Sequence, residues 1–300
     1  MEKIKKNSKK NILIFLLFTV IIAISIFYYI RYSKNKQESE KNLPYNFENI
    51  KIEETTDFTD YLTNYSKIIN ETVLYENYEK VLKNSSKVKV KSGEYLKTYG
   101  TNGEFSKVQT DGSFYYIKNE DLENVSKGDY FKVVKGFLLV NTKYKLPSNF
   151  APKFDKKVLE QVNLMFSDAN REGVKLEIFK DYISYDDQKT LKKDSPNLDT
   201  KVKYAMYSDE GYNESQIGES VDLIGEDESK NLNESFKETK EFSWLIKNAY
   251  KYGFILRYPE NKEDKTNYKF EPWHFRFVGV ENAKIINEKN ITLEEFLKMK

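Results

Sequence analysis

The residues best suited to chemistry lie close together near the end of the chain. Glu271 and the chain's single histidine, His274, stand three positions apart in the segment EPWHFRFVG. In zinc hydrolases an imidazole binds the metal, and a nearby carboxylate takes a proton from the metal-bound water. A catalytic zinc usually has three protein ligands, drawn from histidine, cysteine and carboxylates. Because the 300 residues contain no cysteine and no second histidine, a zinc site here must combine one imidazole with carboxylates.

The overall composition excludes several other classes of function. Forty-nine basic and 47 acidic residues give a net charge of +2. A nucleic-acid-binding protein would carry a clear basic excess, so we expect no nucleic-acid partner. The lack of cysteine also excludes disulfides, thiol nucleophiles and thiolate metal sites.

The beginning of the chain carries the pattern of a membrane anchor. Residues 12–30 form an apolar run interrupted only by Thr19 and Ser25, and a lysine-rich tail precedes it. At about 1.5 Å per residue, about 19 helical residues nearly span the hydrocarbon core. We predict a cytoplasmic tail over 1–11, a transmembrane helix over 12–31 and a single-pass cell-membrane protein with its remaining domains extracytoplasmic. A cleaved signal peptide and a buried soluble helix stay open as alternatives.

Beyond the anchor, the chain changes from a linker to a β-rich unit. Residues 32–57 are polar with mixed charge, which is typical of a linker. Within 58–82, apolar residues at roughly helical spacing predict a helix. Short strand-like runs follow at 88–90, 95–100, 104–110 and 114–118, separated by Gly93, Asn102-Gly103 and Asp111-Gly112. Because such Gly-containing turns favour hairpins, we expect a small β-barrel with an N-terminal helix over 58–127.

The order of strands and turns in this unit resembles a known small domain. The segment SGEYLKTYGTNGEFSKVQTDGSFYYIKNEDL is similar to bacterial Src-homology-three domains. In place of the family's common Trp and Gly-Tyr-Val it has Phe105 and Phe114-Tyr115-Tyr116-Ile117. The resemblance implies binding of cell-wall peptides. A spacer, or a lid on the next domain, is the alternative.

Residues 128–300 read as a second, α+β domain. An amphipathic face predicts a helix over 158–170, ending before Gly173. A strand at 174–179 and a helix at 184–193 capped by Ser184 follow. A further helix at 242–252 precedes strands within 253–259 and 269–280. Helices and short strands are therefore interspersed, which favours the α+β class.

Four segments of this second domain carry a more specific resemblance. LLVNTKYKLPSNFAP, YISYDDQ, YNESQIGESVDL and GFILRYPENKEDKTNYKFEPWHFRFVG, within 138–280, resemble VanY-type D-alanyl-D-alanine carboxypeptidases in order and spacing. These are zinc peptidases that remove the terminal D-Ala from peptidoglycan stem peptides. The resemblance implies that Asp222 and His274 correspond to zinc ligands and that Glu271 corresponds to the general base.

The same resemblance exposes two departures from the family pattern. The family's Ser-x-His-x-x-Gly-x-Ala-x-Asp ends at Asp222 and includes Gly218, but Ser215 stands at the first zinc histidine. The family's Tyr-Arg-Ser-Tyr is here Tyr-Ile-Ser-Tyr, so Ile183 replaces an arginine that would stabilise negative charge during attack. Loss of one such donor typically lowers the rate about 10²–10³-fold. The sequence therefore predicts an incomplete zinc site and impaired catalysis.

Several neighbouring residues are candidates for contact with a substrate. They are Tyr185, Gln188, Glu214 and Gln216. Glu214 adjoins Ser215, but in an extended segment its side chain would point to the opposite face. We expect Arg257 and Arg276 to make structural ion pairs rather than to bind a substrate carboxylate.

The leading hypothesis is a membrane-anchored VanY-like protein that binds the cell wall or its stem peptides with little or no catalysis. Zinc would then be bound weakly or not at all. One alternative is an active carboxypeptidase that uses Asp222, His274 and an unidentified third ligand. Another is a structural ectodomain whose cleft binds nothing.

Overall fold

The computed structural model describes residues 58–76, 88–110, 112–193 and 202–299. The predicted cytoplasmic tail (1–11), transmembrane helix (12–31) and linker (32–57) lie outside the described residues. Within the described ranges, no helix combines the length and apolarity that a membrane crossing requires. The membrane anchor therefore stays a prediction.

The first part of the described chain is an all-β unit. Five antiparallel strands form a sheet in the order β6-β5-β4-β1-β7, and β2 pairs with β3 in a separate hairpin. Gly103 and Gly112 have φ of 57° and 78°, as the predicted hairpin turns require. The four strands predicted from 88 to 118 are confirmed, whereas membership of the Src-homology-three family stays a prediction. The strands are β1 Asn64–Ile68, β2 Thr72–Leu74, β3 Val88–Val90, β4 Tyr95–Asn102, β5 Phe105–Thr110, β6 Ser113–Lys118 and β7 Leu122–Asn124.

The helix predicted within 58–82 was wrong over residues 58–76, because β1 and β2 lie there. Residues 77–82 lie outside the described residues. Both faces of β1 are buried. Ile68 packs with Leu74 on one face, and Tyr65 stacks on Phe131 on the other, with ring centroids 5.0 Å apart. A strand that buries both faces loses the regular alternation of apolar and polar residues. Its apolar residues then fall at spacings that imitate a helix.

The second part of the described chain is α+β, as predicted. Four antiparallel strands form a sheet in the order β10-β11-β13-β12, and β8 and β9 form a hairpin ahead of it. The strands are β8 Lys132–Val134, β9 Phe137–Leu139, β10 Glu177–Lys180, β11 Ser220–Ile224, β12 Phe254–Leu256 and β13 His274–Phe277. The helices, numbered α1 to α6, are Lys156–Arg171, Tyr185–Lys193, Lys240–Asn248, Glu263–Thr266, Val280–Lys289 and Leu293–Phe296.

The main helix predictions of this domain are confirmed, with small shifts at the ends. Helix α1 begins after Asp155, whose side chain accepts a hydrogen bond from the Lys157 N–H. Helix α2 begins after Ser184, whose hydroxyl accepts from the Asp187 N–H at 3.0 Å. Both are ordinary N-caps, which satisfy backbone donors that the first turn leaves free. The strand predicted at 174–179 begins three residues later than expected.

The β unit and the α+β domain share buried surface. Tyr65 and Leu62 lie in one apolar cluster with Phe131, Phe150 and Ile217. On the opposite face of the five-stranded sheet a separate core contains Ile68, Leu74, Val90, Leu96, Val108 and Ile117. The five-stranded sheet is therefore an integral wall of a larger folded body, not an isolated module.

Strand register brings the candidate chemistry to the middle of the four-stranded sheet. Asp222 of β11 lies directly opposite His274 of β13. Lys180 of β10 lies opposite Asp222 from the other side. Glu271 is in the turn before β13, where its N–H donates to the Tyr258 carbonyl at 3.2 Å. The strands thus hold three side chains with opposite charges at one level of the sheet.

Candidate active site

The three residues matched to a zinc hydrolase do come together in the fold. His274 Nδ1 lies 2.6 Å from Asp222 Oδ1, and each residue is 2% exposed. Glu271 is fully buried, and its Oε1 accepts a hydrogen bond from the Met206 N–H at 3.0 Å. Its Oε2 is buried and has no hydrogen-bond partner among the described residues. The predicted grouping of Asp222, Glu271 and His274 is therefore present, but the two residues matched to zinc ligands, Asp222 and His274, contact each other directly.

Glu214 occupies a position that sequence reasoning placed elsewhere. Its Oε1 lies 3.1 Å from His274 Nε2, and its Oε2 accepts from Arg257 Nε at 2.8 Å. The expectation that its side chain would point away assumed an extended segment. In the structure, Glu214–Ile217 form a 3-10 turn capped by the Asn213 side chain. Strand alternation does not apply in such a turn, so Glu214 reaches the far edge of the imidazole.

A row of alternating charges extends from this contact into the protein. We call Asp222, His274, Glu214, Arg257 and Glu294 the His274 ion network. Arg257 completes it with two hydrogen bonds to the Glu294 carboxylate, at 2.9 and 2.6 Å. All five residues are at most 6% exposed. The expectation that Arg257 makes a structural ion pair is confirmed by this geometry, and Arg276 likewise pairs with Glu219 at 2.5 Å.

Electrostatics fix the charge on the central imidazole. Burial alone would lower the pKa of His274, but Asp222 and Glu214 outweigh burial and raise that pKa to about 10. Burial would raise the pKa of Glu214, but Arg257 and His274 lower it to about 2. At neutral pH His274 is therefore protonated and Glu214 is ionised.

Glu271 has the opposite electrostatic character. Its burial raises its pKa to about 7, although the charge of His274 and the N–H of Met206 work against this rise. Such a pKa suits a general acid–base residue, which is the role that the family resemblance implies for Glu271.

The two altered positions, Ser215 and Ile183, lie side by side. The Ile183 N–H donates to the Ser215 carbonyl at 3.4 Å, and the two residues are 4% and 5% exposed. Ile183 places an apolar side chain where the family pattern has an arginine. The cation nearest to Asp222 outside the network is instead Lys180, whose Nζ lies 4.0 Å from Asp222 Oδ2. Sequence reasoning missed Lys180, and only the pairing register of β10 with β11 could have revealed it.

The remaining substrate-contact candidates have different surroundings. Gln188 is fully buried, and its amide bonds the carbonyls of Met206 and Ser208 and the Asn213 side chain. These contacts give Gln188 a structural role and leave its amide little capacity to hydrogen-bond a ligand. Gln216 accepts from the Gly211 N–H at 2.7 Å, while its buried Nε2 has no described partner. Tyr185 is partly exposed at the start of α2, so it is the candidate most accessible to a ligand.

The donor set does not fit a zinc ion. Zinc–ligand bonds of about 2.0–2.1 Å place two ligands of a tetrahedral ion about 3.3 Å apart. The 2.6 Å between His274 Nδ1 and Asp222 Oδ1 is a hydrogen-bond distance instead. Glu214 contacts the other ring nitrogen, so the two carboxylates do not converge on one point. Across the described ranges, no group of three His, Cys, Asp or Glu side chains is arranged to hold a metal.

Comparison with known proteins identifies the family. Residues 151–280 match the VanY family, described as D-alanyl-D-alanine carboxypeptidase. YodJ of Bacillus subtilis (strain 168), a carboxypeptidase by name, is 33% identical over 230 residues, which cover 68% of this chain and 84% of YodJ.

Two solved structures are also similar. One is the LdcB LD-carboxypeptidase, whose structure concerns peptidoglycan recognition; it is 33% identical, with a TM-score of 0.48, and the match covers 57% of this chain and 95% of that one. The other is the D,D-pentapeptidase VanY from a VanB-type resistance cassette in complex with Zn(II); it is 25% identical, with a TM-score of 0.44, and the match covers 53% of this chain and 97% of that one. The identity to YodJ over most of its length, together with the match at 151–280, shows that this chain belongs to the VanY family of D-alanyl-D-alanine carboxypeptidases.

Proposed function

We propose that this chain is a VanY-family protein that recognises peptidoglycan stem peptides without hydrolysing them. The observation that carries the proposal is the contact of both His274 ring nitrogens with carboxylates, at 2.6 and 3.1 Å. A protonated imidazole has no lone pair to offer a metal. Its positive charge also neutralises carboxylates that a zinc ion would otherwise neutralise.

The chemistry that remains is insufficient for peptide hydrolysis. A base such as Glu271 is effective when a metal lowers the pKa of the attacking water from 15.7 to about 7. Without a metal, the water that Glu271 would have to deprotonate is far too weakly acidic. Ile183 also supplies no charge to the oxygen that becomes negative, a loss of typically about 10²–10³ in rate. These two deficits act on different parts of the reaction, and together they support a loss of hydrolysis.

Recognition of a stem peptide is supported by kinship and by charge. The family acts on D-alanyl-D-alanine termini, and such a peptide ends in a carboxylate. Lys180 lies beside Asp222 with its side chain 14% exposed. Its ammonium group is therefore positioned to pair with a peptide carboxylate at the edge of the sheet. Tyr185, at the start of α2, is partly exposed.

The location proposed for this activity is the outer face of the cell membrane. The support is the apolar run of residues 12–30 after a lysine-rich tail. Peptidoglycan is extracytoplasmic, so a single-pass anchor would hold the domain next to its ligand. Protease treatment of intact protoplasts tests the orientation of the protein in the membrane. Digestion of the 128–300 domain is the expected result, and full protection would contradict it.

The decisive experiment combines three measurements on the full chain, purified in detergent without chelator. Zinc content is measured by mass spectrometry, D-Ala release is measured with a pentapeptide stem, and retention is measured on purified cell wall. We expect zinc far below one ion per chain, no release and clear retention. Retention should weaken in Lys180→Ala but not in Lys175→Ala, whose side chain is 70% exposed.

Two other outcomes would replace the proposal. One zinc per chain, with release that Glu271→Gln abolishes, would indicate an active carboxypeptidase that uses Asp222, His274 and a third ligand such as Glu214. Neither release nor retention would indicate a structural ectodomain.

A further inference from the structure

A basic surface without acidic partners lies on and around the β8–β9 hairpin. Residues 127–145 contain five lysines and a single acidic residue, Asp129, so their net charge is +4 against +2 for the whole chain. None of these five lysines forms an ion pair with a carboxylate of the described residues. Several lysines on other surfaces do, among them Lys118, Lys192 and Lys237. The positive charge of this segment is therefore not compensated by the described part of the protein.

Backbone pairing and tyrosine rings gather the lysines into one patch. Tyr130 forms an isolated β-bridge with Lys145, and Lys145 Nζ lies 4.7 Å from the centre of the Tyr130 ring. The centre of the Tyr144 ring lies 5.7 Å from Lys132 Nζ and 5.3 Å from Lys143 Nζ. We call Tyr130, Lys132, Lys143 and Lys145 the basic patch. Contact with a ring does not neutralise an ammonium group, so the patch remains cationic.

More positive charge borders the basic patch. Lys135 lies in the turn between β8 and β9, next to the patch along the chain. Burial lowers the pKa of Lys135, and the nearby charge of Lys298 lowers it further. Neighbouring like charges disfavour the charged state of each other. A bound anionic surface would offset this repulsion.

Tyr130 indicates what kind of anionic surface fits the basic patch. The residue is 40% exposed, although its ring is large and mostly apolar. A soluble polyanion requires only the lysines. A membrane surface offers phosphate groups above an apolar layer, and exposed tyrosine and lysine side chains both favour that boundary. The combination of residues therefore favours a membrane over a soluble polymer.

The predicted membrane tether joins the fold beside the basic patch. The predicted linker, residues 32–57, ends immediately before Phe58, which forms a β-bridge with β4. Three residues further on, Tyr61 lines the same cavity as Tyr130 and Lys132. A flexible linker of this length spans about 25–30 Å on average. A tether that enters the fold here keeps the basic patch within reach of the bilayer.

From these observations we propose that the basic patch is a membrane-docking surface that binds anionic phospholipid headgroups. Lys132, Lys143 and Lys145 pair with lipid phosphates, and Tyr130 places its ring at the level of the headgroups. Docking then fixes which face of the domain is turned towards the bilayer. The inference shares the predicted anchor with the proposed location, but it uses none of the residues proposed to bind a stem peptide.

The absence of cysteine allows docking to be measured at one chosen point. Thr142→Cys introduces a single thiol at an exposed position beside Lys143, and a fluorophore on this thiol transfers energy to a dye on lipid headgroups. The full chain is inserted into nanodiscs of phosphatidylcholine, alone or with about 30% phosphatidylglycerol. We expect about twofold stronger transfer in the anionic discs. This gain should vanish at 1 M salt, where the Debye length is about 3 Å.

Variants of the basic patch should lose the gain in transfer. The first combines Lys132→Gln, Lys143→Gln and Lys145→Gln, and we expect transfer in anionic discs to fall to the level in neutral discs. Tyr130→Ser alone removes the ring and should lower the gain less, because the lysines remain. Circular dichroism verifies that both variants are folded.

A matched control separates the basic patch from the total charge of the chain. It combines Lys156→Gln, Lys189→Gln and Lys247→Gln, which remove the same charge from exposed lysines on three helices, and it should keep the gain. Equal losses in the two triple variants would overturn the proposal. So would equal transfer in neutral and anionic discs, or failure of the chain to enter nanodiscs.

A soluble poly(glycerol phosphate) tests the other class of phosphate partner. Saturable binding of this polymer that the patch variant loses, together with no response to anionic lipid, would overturn the assignment to a membrane. The patch variant should bind the pentapeptide stem as the unaltered chain does. The docking proposal and the proposed function can therefore fail separately.

Discussion

The buried polar side chains of this protein fall into two regions, and these compensate for the loss of water contacts in different ways. In the His274 ion network every charged group contacts one of opposite sign, and all five residues are at most 6% exposed. In the β unit the buried side chains Ser66, Thr98 and Ser106 are neutral and hydrogen-bonded, and Asn64 Oδ1 has no partner among the described residues. A buried charge is too costly to leave uncompensated, whereas a neutral polar atom costs less to leave unpaired. The first region therefore depends on ion pairs, and the second depends on neutral hydrogen bonds.

Under the proposed function, the contrast accounts for the loss of a metal site without loss of the fold. This chain keeps the family's aspartate as Asp222 but has Ser215 at the position of the first zinc histidine. A scaffold in this state still has buried carboxylates that require positive charge. His274 and Arg257 supply it, since each lies between two carboxylates. The network thus stabilises the sheet in the place where catalysis would otherwise require an open metal.

The largest effect should come from removing the network cation that lies between Glu214 and Glu294. Arg257→Met leaves Glu214 and Glu294 buried beside an apolar side chain. Breaking one partner out of a buried ion pair typically costs about 3–5 kcal/mol, so we expect a loss of this size in the free energy of unfolding by urea denaturation. The control Arg171→Met removes a pair with Asp168 whose arginine is 76% exposed and should change stability little. Similar losses in both variants would contradict a special role for the network.

Restoring the family residues at positions 215 and 183 should restore zinc binding and hydrolysis. Ser215→His supplies the missing imidazole, and we expect it to regain zinc binding; Ile183→Arg alone, which adds no ligand, is the control. The double variant should release D-Ala about 10²–10³-fold faster than Ser215→His alone, because it regains a donor for the developing negative charge. Zinc content and D-Ala release measure the two effects. A double variant that binds no zinc would show that the family pattern was matched to the wrong residues.

Much of this comparison was accessible from sequence. The end of α1 before Gly173, the Ser184 cap of α2 and the Gly-containing hairpins follow from local rules, and the family motifs predict the grouping of Asp222, Glu271 and His274. The structure contains all of them. Ser215 and Ile183 were matched separately to family motifs, yet their backbones are hydrogen-bonded to each other. Residue type and spacing suffice to predict a structural feature that one element or one motif determines.

The features that sequence did not predict depend on contacts between elements. Glu214 reaches His274 because a 3-10 turn replaces the assumed extended segment. Lys180 faces Asp222 because of strand register, and β1 escaped detection because it buries both faces. Ser66, Thr98 and Ser106 are buried together although they belong to three different strands. None of these follows from a pattern within a single segment.

The pH dependence of stability should separate the charged region from the neutral one. The folded pKa of His274 is about 10 against an ordinary value of 6.5, so its contribution is complete below pH 6.5 and is lost as the pH rises towards 10. Glu271, raised to about 7 from 4.5, adds a loss of the same sign that ends near neutrality. From pH 7 to 9 we expect the free energy of unfolding to fall by up to about 1.4 kcal/mol per pH unit.

The measurement is urea denaturation at a series of pH values. Since the chain has no other histidine, His274→Gln should flatten the slope above pH 7, whereas Glu271→Gln should change it mainly below pH 7. The groups that face His274 are Asp222, Glu214, Tyr258 and Glu271. An unchanged slope in His274→Gln would show that the imidazole is not protonated in the folded state.

The smallest effect should come from an ion pair between the β unit and the α+β domain. Lys97 lies on β4 beside Thr98, but its Nζ contacts Glu219 at 2.5 Å and Asp155 at 3.5 Å across the shared boundary. Burial would lower the pKa of Lys97, but Glu219 outweighs it and holds the pKa above its ordinary value. Lys97→Met keeps the apolar stem and removes the charge, while Glu219 retains Arg276 as a partner. We therefore expect a loss of about 1–2 kcal/mol in the free energy of unfolding.

The control for this change is Lys118→Met, whose partner Glu120 is exposed and whose loss should be undetectable by urea denaturation. If Lys97→Met unfolds the β unit in a separate transition at lower urea, the boundary is what makes the two parts unfold together. A single transition with no shift would instead show that the apolar cluster around Tyr65 and Phe131 couples them without help from charge.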